Sequence, residues 1–301
     1  MLTRAAVVPM TLVSGAVAGL LAVHRPGFRP GLLALALVGL ALAHVANNLM
    51  NDLFDVGVGS DTTSYPRALY APHPVLSGMI SRRRLGLAAL AVNLADLAIL
   101  VTLTVYRGWP VVAFALAGFG LSFAYTAPPL RLKKHGLGEP DVFVVWGPLM
   151  VCGTYYAAVG QLPWELWLAS VPYGLLCTAV LMGKHIDKAP YDEPLGIRTL
   201  PVILGERRAR SVTLGLMVAF YAVVGVCVGV RALPWPAVIV VMAIPVLVRV
   251  GKALRAPRPD EPPAGFPVWP LWFAAWAFLH TRRAGSMLVL GLVAAAVFKI
   301  R

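Results

Sequence analysis

The stretch G-L-L-A-L-A-L-V-G-L-A-L-A-H-V-A-N-N-L-M-N-D-L-F-D, Gly31 to Asp55, decides the fold. Up to Ala46 it is apolar apart from His44, and from Asn47 onward it gathers three amides and two carboxylates. A bilayer core needs roughly 20 apolar residues per helical span. The segment therefore reads as a membrane-length helix with a polar end. Polar ligands this close to hydrocarbon are costly, and the cost itself points to function.

The rest of the chain has the same character. At 301 residues, 59% hydrophobic and 13% charged, with a mean hydropathy of +0.77, it is too apolar for an ordinary soluble domain of this length. Nine runs are candidate spans: Ala5 to Val23, Gly31 to Met50, Leu85 to Tyr106, Trp109 to Tyr125, Val142 to Val159, Trp164 to Met182, Val212 to Val230, Trp235 to Val250, and Ala284 to Phe298. Leu271 to His280, rich in Trp and Phe, either lies in the interface or lengthens the ninth. The first run lacks a polar cleavage region and leads straight into another span, so it is kept as mature chain rather than as a secretory signal. The expected fold class is all-α: a polytopic membrane protein forming one domain over residues 1–301.

Cytoplasmic loops accumulate Lys and Arg. With the N-terminus inside, Arg25, Arg29, Arg107, Arg231, Lys299 and Arg301 lie outside, and the rest of the 26 basic residues lie inside. This orients the N-terminus and the loops after the second and sixth spans toward the cytoplasm. The net charge of +13 sits in short loops beside spans, which favours anionic headgroups and ligands over nucleic acid. Cys152, Cys177 and Cys227 fall inside spans with no metal spacing, and read as small core residues.

The inner face also collects the acids, which a positive-inside pattern does not require. On a helix, His44, Asn48, Asn51, Asp52 and Asp55 share one face. Such carboxylate and amide oxygens suit Mg²⁺, which takes one or two carboxylates and leaves its other positions to water and substrate phosphate. A second cluster follows the sixth span, K-H-I-D-K-A-P-Y-D-E-P-L-G-I-R-T-L-P-V-I-L-G from Lys184 to Gly205, with Asp187 and Asp192 on the same membrane side. Two acidic helix ends among Lys and Arg are what a metal-bridged diphosphate requires.

These residues carry a resemblance. N-D-L-F-D-V-G-V-G-S-D (Asn51 to Asp61) is similar to the first aspartate-rich motif of the UbiA superfamily of intramembrane prenyltransferases. The likeness continues through P-V-L-S-G-M-I-S (Pro74 to Ser81), Y-T-A-P-P-L-R-L-K-K-H-G-L-G-E (Tyr125 to Glu139), G-T-Y-Y (Gly153 to Tyr156) and R-T-L-P-V-I-L-G (Arg198 to Gly205). It is most similar to the branch containing 1,4-dihydroxy-2-naphthoate prenyltransferases.

The resemblance implies nine transmembrane helices around a central cavity open to lipid, with a cytoplasmic cap from the loops after helices 2 and 6. It implies two Mg²⁺ ions, one held by Asn51, Asp52, Asp55 and Asp61 and the other by Asp187 or Asp192. Asp55, Asp187 and Asp192 would be the catalytic acids. Arg67, Lys133 and Arg198 would meet the diphosphate, with Tyr155 and Tyr156 along the cavity; Asn48, Lys184, Lys188 and His44 are further substrate-binding candidates from their own positions rather than from the resemblance. The implied partners are an isoprenoid diphosphate, an aromatic acceptor of quinone-precursor type and membrane lipid.

One string departs from the family pattern, in which the second motif reads Asn-Asn-x-Arg-Asp with aspartates four apart. Here Gly183 and Lys184 stand at roughly the asparagine positions and Asp187 and Asp192 lie five apart, so that aligning Asp192 leaves Lys188 at the first aspartate. Two readings stay open: a one-residue bulge at Pro190 brings Asp187 back, or Lys184 or Lys188 replaces part of a metal shell with fixed positive charge. Asp96, inside the third span, reads first as hydrogen-bonded between helices. Two other function classes stand beside prenyl transfer: a terpene cyclase of the same superfamily, needing no acceptor, and an ion-coupled transporter.

Overall fold

The computed structural model describes residues 8–57, 75–266 and 268–300. Among these residues every regular element is helical. The helices are α1 (Val8–Ala22), α2 (Pro30–Gly57), α3 (Arg82–Arg107), α4 (Trp109–Thr126), α5 (Gly138–Val159), α6 (Trp164–Asp192), α7 (Glu206–Gly229), α8 (Trp235–Arg255) and α9 (Trp272–Phe298). Among the described residues eight of them, α2 to α9, are long and apolar enough to cross a membrane, and α1 is a shorter apolar helix. The Trp- and Phe-rich stretch before Ala284 thus lengthens the ninth helix. Of the loops expected to form a cap, the one after α6 holds the five-residue helix Leu200–Leu204, and residues 58–74 of the one after α2 lie outside the described residues.

Local chemistry explains the boundaries. Ser81 opens α3, its side chain accepting a bond from the Arg84 amide at 3.3 Å. Gly108, at φ +77°, turns the chain between α3 and α4, where Pro110 occupies a first-turn position that needs no N–H. Pro148 interrupts α5 without ending it, because residues Val145–Leu149 widen into a π-helical stretch around it. Trp109, Trp164 and Trp235 stand exposed at the starts of α4, α6 and α8, where an interfacial belt would place them.

α6 is the centre of the bundle. It packs against α5, α7 and α9, while α1 lies against α2, α5 and α9, and α2 against α3. In lipid, helix association depends on close van der Waals packing, which small residues permit. At the α5–α6 crossing, a Cβ on Gly174 would lie 2.9 Å from the Phe143 carbonyl oxygen and 3.2 Å from the Gly147 Cα. A second close approach is at Gly183, where a Cβ would lie 2.7 Å from the Phe273 carbonyl oxygen. One turn on, Asp187 accepts bonds from the amides of Phe273 at 3.0 Å and Ala274 at 2.8 Å. These are amides of the first turn of α9, which have no partner within their own helix. The face of α6 carrying Gly183 and Asp187 is therefore a seat for the start of α9.

Replacing Asp187 with Ala strips both bonds from a buried helix end and is expected to lower stability by about 2 kcal/mol. Thermal unfolding of the purified protein in detergent measures this, and an unchanged midpoint contradicts the seating role.

Candidate active site

The helices enclose a cavity of about 1130 Å³. Ligand pockets run to roughly 300–1,000 Å³, so this one has room for a long tail beside a second molecule. Because the chain crosses at each helix, the C-terminal ends of α2, α4 and α6 meet the N-terminal ends of α3, α5 and α9 on one side. The cavity is polar at that end: Asn47, Asn48 and Asn51 from α2, Lys133 and Lys134, Asp141 from α5, and Lys184, His185, Lys188 and Asp192 from α6. Farther in, the wall is Leu97, Leu100 and Leu103 of α3, Val111, Phe114 and Phe119 of α4, and Leu149 of α5. Leu90 and Leu97 of α3 and Leu116 and Phe119 of α4 line the cavity and are also more than half exposed, so this wall opens to lipid.

Several bonds hold the polar end together. The Thr126 hydroxyl donates to the Asn51 side-chain oxygen, joining α4 to α2. Glu139 meets His185 Nδ1 at 2.7 Å, both buried, and ties the start of α5 to α6. The turn Leu132–His135 brings in Lys133 and Lys134, and its Lys134 carbonyl accepts from the Arg198 amide at 3.0 Å. Gly136, at φ +74°, closes that turn; a Cβ there would lie 2.5 Å from Ile203 of the short helix. Lys133 Nζ sits 6.0 Å from the centre of the Tyr125 ring. His44 is bonded to Thr11 and stands edge-on to Trp146, ring centres 5.7 Å apart.

The cavity wall also holds buried polar atoms that no described residue meets. They are Asn47 Oδ1, Asp141 Oδ1, Trp146 Nε1, Thr154 Oγ1 and Thr199 Oγ1. Native interiors rarely leave such atoms unmatched, so a run of them along one cavity marks where a ligand or water belongs. Asp96 lines the same wall, with its Oδ1 3.2 Å from where a Gly39 Cβ would stand, and no described residue donates to it. The expectation of an interhelical bond is corrected: this carboxylate faces the cavity.

The expected site residues divide cleanly. His44, Asn48, Lys133, Lys184, Lys188 and Asp192 line the cavity with Asn51. Asp52 is fully buried one position round from Asn51. Asp55 lies on α2 with its side chain outside the described part, and Asp61 and Arg67 lie outside the described residues. Asp187 is turned toward α9. Tyr155 and Tyr156 are not on the lining: Gly153, Thr154 and Ala157 take that face of α5, Tyr155 packs in the core, and the Tyr156 hydroxyl donates to the Arg107 carbonyl at 3.0 Å. Arg198 is exposed and contributes its backbone, since in the extended segment 197–199 alternate residues face opposite ways and Ile197 and Thr199 face in. Asp141, Thr199, Asn47 and Lys134 are additions from the structure. Of these, Asp141 carried a sequence signal, as an acid in the first turn of an apolar span.

An integral membrane protein with a basic-rimmed cavity, apolar inside and open to lipid, is suited to molecules that are polar at one end and oily at the other. A family model for the UbiA prenyltransferases matches residues 12–279, and the chain belongs to that family of prenyltransferases. A 2-carboxy-1,4-naphthoquinone phytyltransferase from Synechocystis is 28% identical over 244 residues, covering 80% of this chain and 75% of its own. A 1,4-dihydroxy-2-naphthoate octaprenyltransferase from Mycobacterium tuberculosis is 31% identical over 257 residues, covering 84% and 82%. The solved structure of a UbiA homolog from Archaeoglobus fulgidus bound to DMAPP and Mg2+ aligns with a TM-score of 0.62 over 95% of this chain and 97% of its own, at 18% identity. The last likeness is one of fold.

Removing one partner of a buried ionisable pair costs about 3–5 kcal/mol, because the other is stranded. His185→Ala is therefore expected to destabilise the protein more than the double variant Glu139→Gln/His185→Ala. Chemical denaturation of both reads the difference, and equal losses contradict a coupled pair.

Proposed function

We propose that the protein transfers a prenyl group from an isoprenoid diphosphate to an aromatic quinone precursor of the 1,4-dihydroxy-2-naphthoate type. The observation that carries this reading is a lysine-rimmed polar end on an apolar cavity that opens to lipid. The named naphthoate prenyltransferases and phytyltransferase among the relatives support the acceptor class. The site works in the cytoplasmic membrane, with the polar end and the N-terminus on the inner side, as the distribution of Lys and Arg favours.

The residue types at the end of α2 suit a hard cation: Asn51 and Asn48 line the cavity, Asp52 is buried next to Asn51, and Asp55 and Asp61 follow in sequence. Mg²⁺ bound there supplies positive charge to the leaving diphosphate. Lys133, Lys134, Lys184 and Lys188 face the same volume and donate to the remaining phosphate oxygens, stabilising charge as it develops. The allylic C–O bond breaks with its electron pair leaving on the diphosphate, the ring carbon of the acceptor attacks the cation, and the ring regains aromaticity by releasing the proton on the attacked carbon, or CO2 where that carbon bears the carboxylate. The Leu, Val and Phe wall of α3 and α4 holds the tail and keeps water from that cation. Asp96 and His44 reach the cavity below the rim and are the groups to orient acceptor hydroxyls.

The purified protein with geranylgeranyl diphosphate, Mg²⁺ and 1,4-dihydroxy-2-naphthoate is expected to form prenylated naphthoate. A hydrocarbon or terpene alcohol formed without acceptor would indicate a cyclase instead, and intact diphosphate in every tube contradicts the proposal. Asp55→Ala is expected to cut turnover at least about a hundredfold while the protein still folds. Loss of folded protein from detergent extracts would assign Asp55 a structural role.

A further inference from the structure

We infer that the ammonium groups of Lys184 and Lys188 occupy the place of a second divalent cation, so that the diphosphate is held by one Mg²⁺ and two lysines. The inference rests on the prenyl-diphosphate reading and specifies how that head group is bound.

The register of α6 carries it. The helix runs unbroken through Pro190 to Asp192, so no bulge shifts the residues around its end. Lys184, Lys188 and Asp192 are spaced by four, stand about 6 Å apart along the axis, and share the stripe that lines the cavity. Asp187 lies off that stripe, 1% exposed, with both carboxylate oxygens taken by the amides of Phe273 and Ala274. Bringing it to the cavity would strip the start of α9. Gly183 offers no oxygen and has no space for a side chain, because the backbone of Phe273 and Ala274 lies against it. On this end of α6, then, Asp192 is the carboxylate that faces the cavity. Among the described residues no three His, Cys, Asp or Glu side chains are placed to share a metal ion.

The charge balance agrees. Two ammonium groups bring the positive charge of one divalent ion, and each donates directly to phosphate oxygens. The same two charges beside Asp192 repel an incoming Mg²⁺. Among the described residues the remaining competitor for metal at this end is Asp141 of α5, which is buried and lines the cavity with Oδ1 met by no described residue. The test therefore counts ions.

The full-length protein in detergent is titrated with Mn²⁺ in the presence of geranylgeranyl thiolodiphosphate, an unreactive analogue, and bound Mn²⁺ is counted by electron paramagnetic resonance. One tightly bound Mn²⁺ per chain is expected. Lys188→Asp is expected to raise the count to two, and Lys184→Met to weaken analogue binding about tenfold while the count stays at one. Two Mn²⁺ on the unaltered protein overturn the inference, and loss of one of them in Asp141→Asn would place the second ion on α5. Failure of the analogue to bind at all, with or without Mn²⁺, removes the prenyl-diphosphate reading and the inference together.

Discussion

The rotational register of α6 governs the polar end of this molecule. One face of the helix, at Gly183 and Asp187, receives the first turn of α9 at a separation that admits no side chain, and caps it with a carboxylate. The neighbouring face presents Lys184, Lys188 and Asp192 to the cavity. Because α9 also reaches the cavity through Ala274, Ala275 and Phe278, with Leu271 just before it, a rotation of α6 would disturb the wall and the charged rim together. Packing and electrostatics at this end are two readings of one helix angle.

Lipid explains why the rest of the cavity looks as it does. In hydrocarbon, a charged group is tolerated when it faces a cavity or a partner; on the cavity lining Lys133, Lys134, Asp141, Lys184, Lys188 and Asp192 gather at one end, and Asp96 faces the cavity from α3. The interior beyond them is closed on the α1, α5 and α6 side by a continuous core of buried side chains. On the opposite side it is bounded by α3 and α4, whose apolar residues are largely exposed. One wall is thus packed protein and the other is largely exposed apolar surface, which is what the proposed sideways entry of an oily tail requires.

The spans were legible in the sequence because a membrane helix needs a long apolar run and little else, and the family could be read from short strings in order. What hydropathy does not carry is which way a side chain points. Tyr155 and Tyr156 lie in a matching string, yet the helix angle sends the cavity to Gly153, Thr154 and Ala157. Arg198 looked like a phosphate ligand, and the pleat of an extended segment turned it outward and gave its place to Thr199. Asp187 looked catalytic because it stands in the second acidic cluster, where the family resemblance implies a metal ligand; its partner, the bare amides of α9, lies 86 residues on and leaves no trace in local sequence. Asp96, by contrast, sat in a span in plain view, and tertiary geometry alone distinguished a helix–helix bond from a cavity-facing group.

The central claim is that the ends of α2 and α6 grip one head group across the mouth of one cavity. An experimental structure with Mg²⁺ and geranylgeranyl thiolodiphosphate measures this most directly. The account predicts diphosphate density between Asn48 and Asn51 on one side and Lys184 and Lys188 on the other, with the tail running along α3 and α4. Diphosphate bound elsewhere, or lysines turned away from it, would contradict the account.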